Sequence, residues 1–255
     1  PEGNRTSRGK AVVNLLALTG EEKVTSAIAI RSFEERKGQE TFLAMATRNG
    51  TVKKTPLSDF ENIRRSGIIA ITLDEGDVLV EVQHTSGKDE LLVATKDGMA
   101  IRFPEADIRS MGRAAAGVRG IRLDKTDQVV GMEVFPPNSK KTLLTVCENG
   151  YGKRTALNEY RGQHRGGGGI ITIKTTDRNG SVNGTKLVTD DDDLMVMTEQ
   201  GKAIRLRCKD IKTISRNTQG VRLVRLEEGD KVARVAPIAN EPPVNPEPAI
   251  DADKK

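Results

Sequence analysis

Tryptophan is absent from this chain, and aromatic residues make up only 3% of it. That scarcity excludes a core built on large rings, so packing must rest on Val, Ile, Leu, Met and Ala. It also argues against stacking platforms for single-stranded nucleic acid and against the aromatic anchors that dominate protein-binding surfaces. Cys147 and Cys208 are the only cysteines, with no CxxC pair and no zinc-ligand spacing. Each falls within or beside an apolar strand pattern, which predicts a buried free thiol. The two histidines, His84 and His164, lie far apart, and neither neighbours a nucleophile pattern. Tyr151 and Tyr160 are placed by no catalytic motif. The glycine run at 166–169 is not followed by Lys and then Ser or Thr, which excludes a nucleotide-binding P-loop. The run "DDDD" (190–193) precedes an apolar strand and reads as a solvated turn before it reads as a cation site. No apolar run approaches ~20 residues and nothing resembles a signal peptide, so the expectation is a cytoplasmic protein with no membrane partner.

What the 255 residues do contain is glycine, 25 of them, and an excess of basic side chains giving a net charge of +5. Residues 237–255 hold four acids and two lysines, so residues 1–236 carry +7. A polyanionic partner is compatible with that bias.

The chain repeats itself. "FLAMATRNGTVKKTPLSDF", "LLVATKDGMAIRFPEADI", "LLTVCENGYGKRTALNEY" and "LMVMTEQGKAIRLRCKDI" align on Gly50, Gly98, Gly150 and Gly201, at steps of 48, 52 and 51 residues. Second glycines, Gly67, Gly117, Gly169 and Gly220, follow 17, 19, 19 and 19 residues later. Two landmarks keeping phase over four copies define a repeat architecture. The copies span about 21–73, 76–123, 127–175 and 180–226. Each reads as four strands: "VTSAIAI", "VLVEV", "VVGMEV" or "SVNGTKLV" first; then an apolar run; a tight hairpin at the turn glycine; an alternating third strand; a long polar loop; and a fourth strand from the second glycine. "EGD" recurs at 75–77 and 228–230 in the same place, which identifies a repeated turn.

Four strands in about 50 residues predict an all-β, propeller-like blade, and single blades must stack to bury their faces. The expected organisation is one domain over 1–238, with four complete blades and partial strands at both ends. "GKAVVNLL" (9–16) matches a fourth strand without its blade, and "DKVARVAPI" (230–238) a first strand with none after it. The chain thus reads as a fragment that begins inside a repeat. Residues 239–255, rich in Pro and acids, are expected to be a disordered tail.

Basic residues recur at matching places. The long loops carry Arg64 and Arg65; Arg109 and Arg113; Arg161, His164 and Arg165; and Lys209, Lys212 and Arg216. Third strands add Lys53 and Lys54, Arg102, Lys153 and Arg154, and Arg205 and Arg207. "RSMGRAAAG", "RGQHRGGGG" and "KTISRNTQG" contain no acid. Equivalent positions of stacked blades share a rim, so the repeat predicts a basic band suited to duplex phosphates without base readout.

"VVNLL", "ATRNGTVKKTPLSDF", "GVRGIRL", "NGYGKRTALNEY", "IITIKTTDRNG" and "RNTQGV" carry a resemblance to the C-terminal domains of the A subunit of bacterial DNA gyrase, over residues 9 to about 236. The resemblance implies a β-pinwheel, in which four-stranded antiparallel blades exchange a strand, and a domain that wraps double-stranded DNA on its basic perimeter. It implies partners as well: the N-terminal region of the A subunit, together with the B subunit, in an A2B2 holoenzyme that introduces negative supercoils. Catalytic residues, ATP and magnesium belong to other parts of that holoenzyme, and this chain needs no cofactor or metal. The family's hallmark box reads Gln, basic, Arg, Gly, Gly, basic, Gly and belongs to a first blade absent here. "QHRGGGG" matches five of its seven positions through Gln163, Arg165, Gly166, Gly167 and Gly169, while His164 and Gly168 stand where basic residues belong. Phosphate contact by Arg165 and by glycine N–H groups is the expectation. The C-terminal domain of the topoisomerase IV A subunit resembles the same repeats, and a protein-interaction propeller is the alternative from another class.

Overall fold

The computed structural model describes residues 16, 18, 22–30, 40–64 and 66–238. Among them there is no α-helix. Fifteen strands form: β1 (Phe42–Thr47), β2 (Thr51–Pro56), β3 (Leu79–Thr85), β4 (Glu90–Thr95), β5 (Met99–Pro104), β6 (Val118–Arg119), β7 (Val129–Phe135), β8 (Thr142–Cys147), β9 (Tyr151–Ala156), β10 (Ile170–Ile171), β11 (Val182–Val188), β12 (Asp193–Thr198), β13 (Ala203–Arg207), β14 (Val221–Arg222) and β15 (Val232–Ile238). The sheets are β3-β1-β2-β6, β7-β4-β5-β10, β11-β8-β9-β14 and β15-β12-β13, with every strand pairing antiparallel. This is the propeller-like arrangement expected from the repeat, with the exchange of strands that the resemblance implied.

Each sequence copy splits two and two. Its hairpin, such as β4–β5, builds one sheet, while its first and last strands, β3 and β6, flank the hairpin of the copy before. "DKVARVAPI" accordingly does not stand alone: β15 pairs with β12 and completes the inner side of the fourth sheet. That sheet has three strands, and β13 has no outer partner among the described residues. The first copy shows the converse. Residues 24–30 and 66–73 were expected to be strands and are not, since no hairpin among the described residues lies in front of them. Ile69 is left 67% exposed. Residues 9–15 and the tail 239–255 lie outside the described residues.

Stacking explains the sequence pattern of the central strands. β1, "FLAMAT", is buried at every position, and β4 and β8 are nearly so. A sheet covered on both faces loses the in–out alternation of a half-exposed one. The largest core cluster joins Ala44 and Val52 of the first sheet to Leu91, Val93, Ile101 and Phe103 of the second.

Turn glycines serve two purposes. Gly98 adopts φ +87°, which suits the tight hairpin, and a Cβ there would lie 2.2 Å from the Ile173 carbonyl oxygen of the crossing fourth strand. Gly201 has φ +83° and open space around it, and no fourth strand crosses the last sheet among the described residues. The "EGD" aspartates are caps. Asp77 accepts from the Asn49 and Val78 N–H groups at 3.0 and 2.8 Å, and Asp230 from Gln200 and Lys231 at 3.2 and 2.9 Å. Asp127 does the same for Asp97 and Gln128, so the turn pins each hairpin to the strand that returns beside it.

Candidate nucleic-acid interface

Third-strand cations of the first three sheets point into the structure rather than out of it. Lys54 Nζ donates to the Glu105 carbonyl and carboxylate, both at 3.2 Å. Arg102 donates to the Leu157 and Tyr160 carbonyls at 2.8 and 3.2 Å and pairs with Glu90. Arg154 donates to the Cys208 carbonyl at 2.8 Å and pairs with Asp190. Glu105, Leu157 and Cys208 each open the short 3-10 turn of the following copy. One equivalent position thus latches each copy to the next. Arg205, fourth in the series, pairs with Asp193 and keeps a side chain 61% exposed.

Lys53 and Lys153 are buried completely. Lys153 Nζ donates to the Ser215 carbonyl at 2.6 Å, to the Arg216 carbonyl, and to Thr218 Oγ1 at 3.1 Å. Burial lowers its ammonium to about 8. Lys53 caps the Ala70 and Arg113 carbonyls in the same way. The expected rim role is therefore corrected for Lys53, Lys54, Lys153 and Arg154. Their strands lie between sheets, and their charges satisfy backbone oxygens that crossing loops would otherwise leave unpaired.

The long-loop arginines form a second periodic set. Arg113, Arg165 and Arg216 donate to the Ile69, Arg119 and Ile171 carbonyls at 3.3, 3.1 and 2.7 Å. Those acceptors occupy equivalent positions on the preceding fourth-strand segments. The guanidiniums fasten neighbouring loops from positions at the surface. Arg207 is exposed and paired with Asp210. Arg64, Arg109, Arg161, Lys209 and Lys212 are exposed. Arg65 lies outside the described residues.

Fourth strands and the residues just after them supply cations that sequence reasoning missed. Arg119, Arg122, Lys174, Arg222 and Arg225 are all exposed. The repeated "VRGIR" and "VRLVR" carried the signal: each sets two arginines three residues apart around apolar residues, and Ile121 and Val224 are buried between exposed arginines. Arg109, Arg161, Lys212, Arg119, Arg122, Lys174 and Arg225 have no side-chain partner among the described residues. Together they mark the outer strands and loops with unneutralised charge.

The glycine loop sits within this band. Gly166 and Gly169 have φ of +82° and +73°. Gly169 also packs where a Cβ would approach the Ala100 carbonyl oxygen at 2.5 Å. Gly168 has no such constraint: the atom nearest to where its Cβ would lie is Arg122 Nη2, at 3.5 Å. Arg165 anchors the loop through Nε to the Asp107 carbonyl at 2.9 Å. His164 is 97% exposed and faces Asp107 at 3.1 Å. Gln163 is half-buried, its backbone N–H donating to the Arg102 carbonyl. Where the other loops are capped by Lys53 and Lys153, this one lies over Ile101 and keeps its backbone uncapped by any lysine.

Among the described residues no cluster of His, Cys, Asp or Glu suits a metal ion, and no helix is long and apolar enough to cross a membrane. Both cysteines are free and buried.

Residues 1–31, 41–86, 89–136, 141–189 and 192–239 match the family described as DNA gyrase C-terminal domain, beta-propeller. The chain is 45% identical over 239 residues to the A subunit of DNA gyrase from Klebsiella oxytoca, covering 94% of this chain and 27% of that protein. It thus spans about a quarter of the length of that relative. The fold superimposes on the C-terminal domain of DNA topoisomerase IV with a TM-score of 0.82 at 26% identity, covering 91% of this chain and 71% of that one. It superimposes on a DNA gyrase A C-terminal domain with a TM-score of 0.80 at 23% identity, covering 91% and 75%. With its repeats, its exchanged strands and the matched residues in accord, the chain belongs to the DNA gyrase C-terminal domain family.

Proposed function

We propose that this chain binds duplex DNA along its outer strands and long loops, without reading sequence, and wraps it as the C-terminal domain of a gyrase A subunit. The observation that carries the reading is the row of exposed cations, unpartnered among the described residues and repeated from copy to copy: Arg109, Arg161 and Lys212 on the loops, Arg122, Lys174 and Arg225 just after the fourth strands. Duplex phosphates match such a row, because neutralising them releases counterions whatever the base sequence. Stacked sheets present the cations on a curved face, and the ion pairs that form there offset bending costs of about 1–6 kcal/mol per 20–30 base pairs.

In this reading residues 1–238 form the wrapping domain and 239–255 a tail. DNA binding uses side chains and backbone alone. The A2B2 holoenzyme, cytoplasmic and supplied with ATP and magnesium elsewhere, turns the wrapped segment into negative supercoils. Delivery of DNA without strong wrapping, as a topoisomerase IV domain, is the second reading, favoured by the comparable superposition on that fold.

Linear duplex titrated against salt tests the proposal. Contact with about six phosphates gives a slope of log K on log salt near −5, from roughly −0.9 per phosphate. The triple variant Arg109→Ala, Arg161→Ala, Lys212→Ala should flatten that slope by about three. Absent or salt-independent binding by the parent chain overturns the reading. Topological constraint of a relaxed plasmid separates wrapping from simple delivery.

A further inference from the structure

At the hairpin end of the third sheet, one phenol gathers two arginines around its ring and hydroxyl. Tyr151 Oη accepts from Arg222 Nε at 3.2 Å and Nη2 at 2.7 Å. The Arg178 and Arg222 guanidiniums lie 4.8 and 5.3 Å from the centre of its ring. Arg178 is held there by its own turn, whose Asp177 and Arg178 carbonyls accept from the Asn149 amide. Equivalent positions in the other hairpins are Thr51, Met99 and Lys202, so the cluster occurs once.

Its charges are unbalanced. Both arginines are exposed, and neither pairs with a carboxylate among the described residues. The phenol oxygen is occupied as an acceptor, while its own proton meets no acceptor among the described residues. Arg225, also unpaired, lines the adjoining cavity of about 360 Å³ together with Arg222, Tyr151 and Asn149. Several donors converge on a space with no negative charge. We propose that this pocket receives a phosphate oxyanion, a phosphodiester of bound duplex DNA, with Arg222, Arg225 and the Tyr151 hydroxyl donating to its oxygens. The inference rests on the DNA-binding reading and gives the path of the duplex one fixed anchor, on the third sheet.

The Tyr151 hydroxyl is held below its ordinary value of 10 by hydrogen bonds from Arg178 and Arg222. An anion in the pocket offsets that cationic field and moves the titration back up.

With no tryptophan and two tyrosines in the chain, tyrosine emission reports the site. The other tyrosine, Tyr160, is buried and hydrogen-bonded to Thr172 at 2.6 Å. Duplex should change parental emission along the same curve as binding, and should leave Tyr151→Phe emission unchanged. Tyr151→Phe should bind duplex about tenfold more weakly, the effect of one hydrogen bond to a charged group. Arg222→Ala, or Arg222→Lys if the first variant folds poorly, should flatten the salt slope by about one. Parental affinity and slope in these variants, with the loop triple variant still impaired, would sink the anchor and leave the DNA reading intact. Failure of the parent to bind duplex removes both. An emission change with inorganic phosphate but none with duplex overturns the assignment to DNA.

Discussion

A basic residue in this chain has two destinations, and residue type alone does not choose between them. Lys53 and Lys54 are neighbours and point to opposite faces of β2, yet both are buried because sheets lie on both sides. The sequence shows that each third strand carries cations. Which of them face solvent depends on what packs behind the strand, and that is set by residues a whole repeat away. Lys153 separates the structural role from the binding role. Lys153→Met leaves two carbonyls and a hydroxyl without their donor and should destabilise the chain by about 2–3 kcal/mol, while the DNA salt slope stays parental. Its pH dependence has a definite sign. Burial holds the ammonium at about 8, below its ordinary 10.5, so the unfolded chain binds the proton more tightly across that window. The parent should therefore gain stability relative to Lys153→Met as pH rises from about 8 towards 10. Paired melting curves read the difference directly, and a gap independent of pH would contradict the buried, charged assignment.

Hairpins and the strands of the later copies are legible, because apolar runs and the turn glycines mark them, whereas the strands expected at 24–30 and 66–73 do not form. The partition of each copy between two sheets is not legible, since periodicity describes a strand's faces and says nothing of its edge partners. The glycines offer a test of that partition. Gly98→Ala places a methyl group against the Ile173 carbonyl and also strains a positive φ, whereas Gly201→Ala meets only the φ penalty. Gly201→Ala should cost about 1 kcal/mol, and Gly98→Ala clearly more, as two mechanisms add. Thermal or denaturant unfolding of the two variants checks this. Equal losses would mean that the fourth strand does not cross the second hairpin as described.

At the scale of the molecule, the inner strands meet in a polar knot. Lys186 of β11 lies 3.0 Å from Glu81 of β3 and 3.5 Å from Glu133 of β7, so one ammonium joins three sheets. Gln83 adds hydrogen bonds to the Met132 carbonyl and the Val134 N–H, at 2.7 and 3.1 Å. Burial raises the Glu133 carboxyl from 4.5 to about 7, with Lys186 opposing the rise. The folded chain therefore holds this proton more tightly than the unfolded one between those values, and stability falls as pH climbs through them. Glu133→Gln should gain on the parent between pH 5 and pH 8. Lys186→Met strands two carboxylates and should lose about 3–5 kcal/mol, more at pH 8 than at pH 5. Melting temperatures at the two pH values decide both. Such a knot leaves little trace in sequence: its members sit in separate copies, and only stacking brings them together.

The two-and-two division of each copy has a consequence in time. β9 ends at residue 156, and its outer partner β14 begins at residue 221. At synthesis rates of about 5–20 residues per second, a finished hairpin waits roughly 3–13 s for its last strand to be made. Each of the three four-stranded sheets passes through such an interval with one edge open, the condition in which strand edges recruit other chains. The outer strands β6, β10 and β14 close these edges when they arrive, and the basic residues on and just after them coat the edges with charge at the same moment.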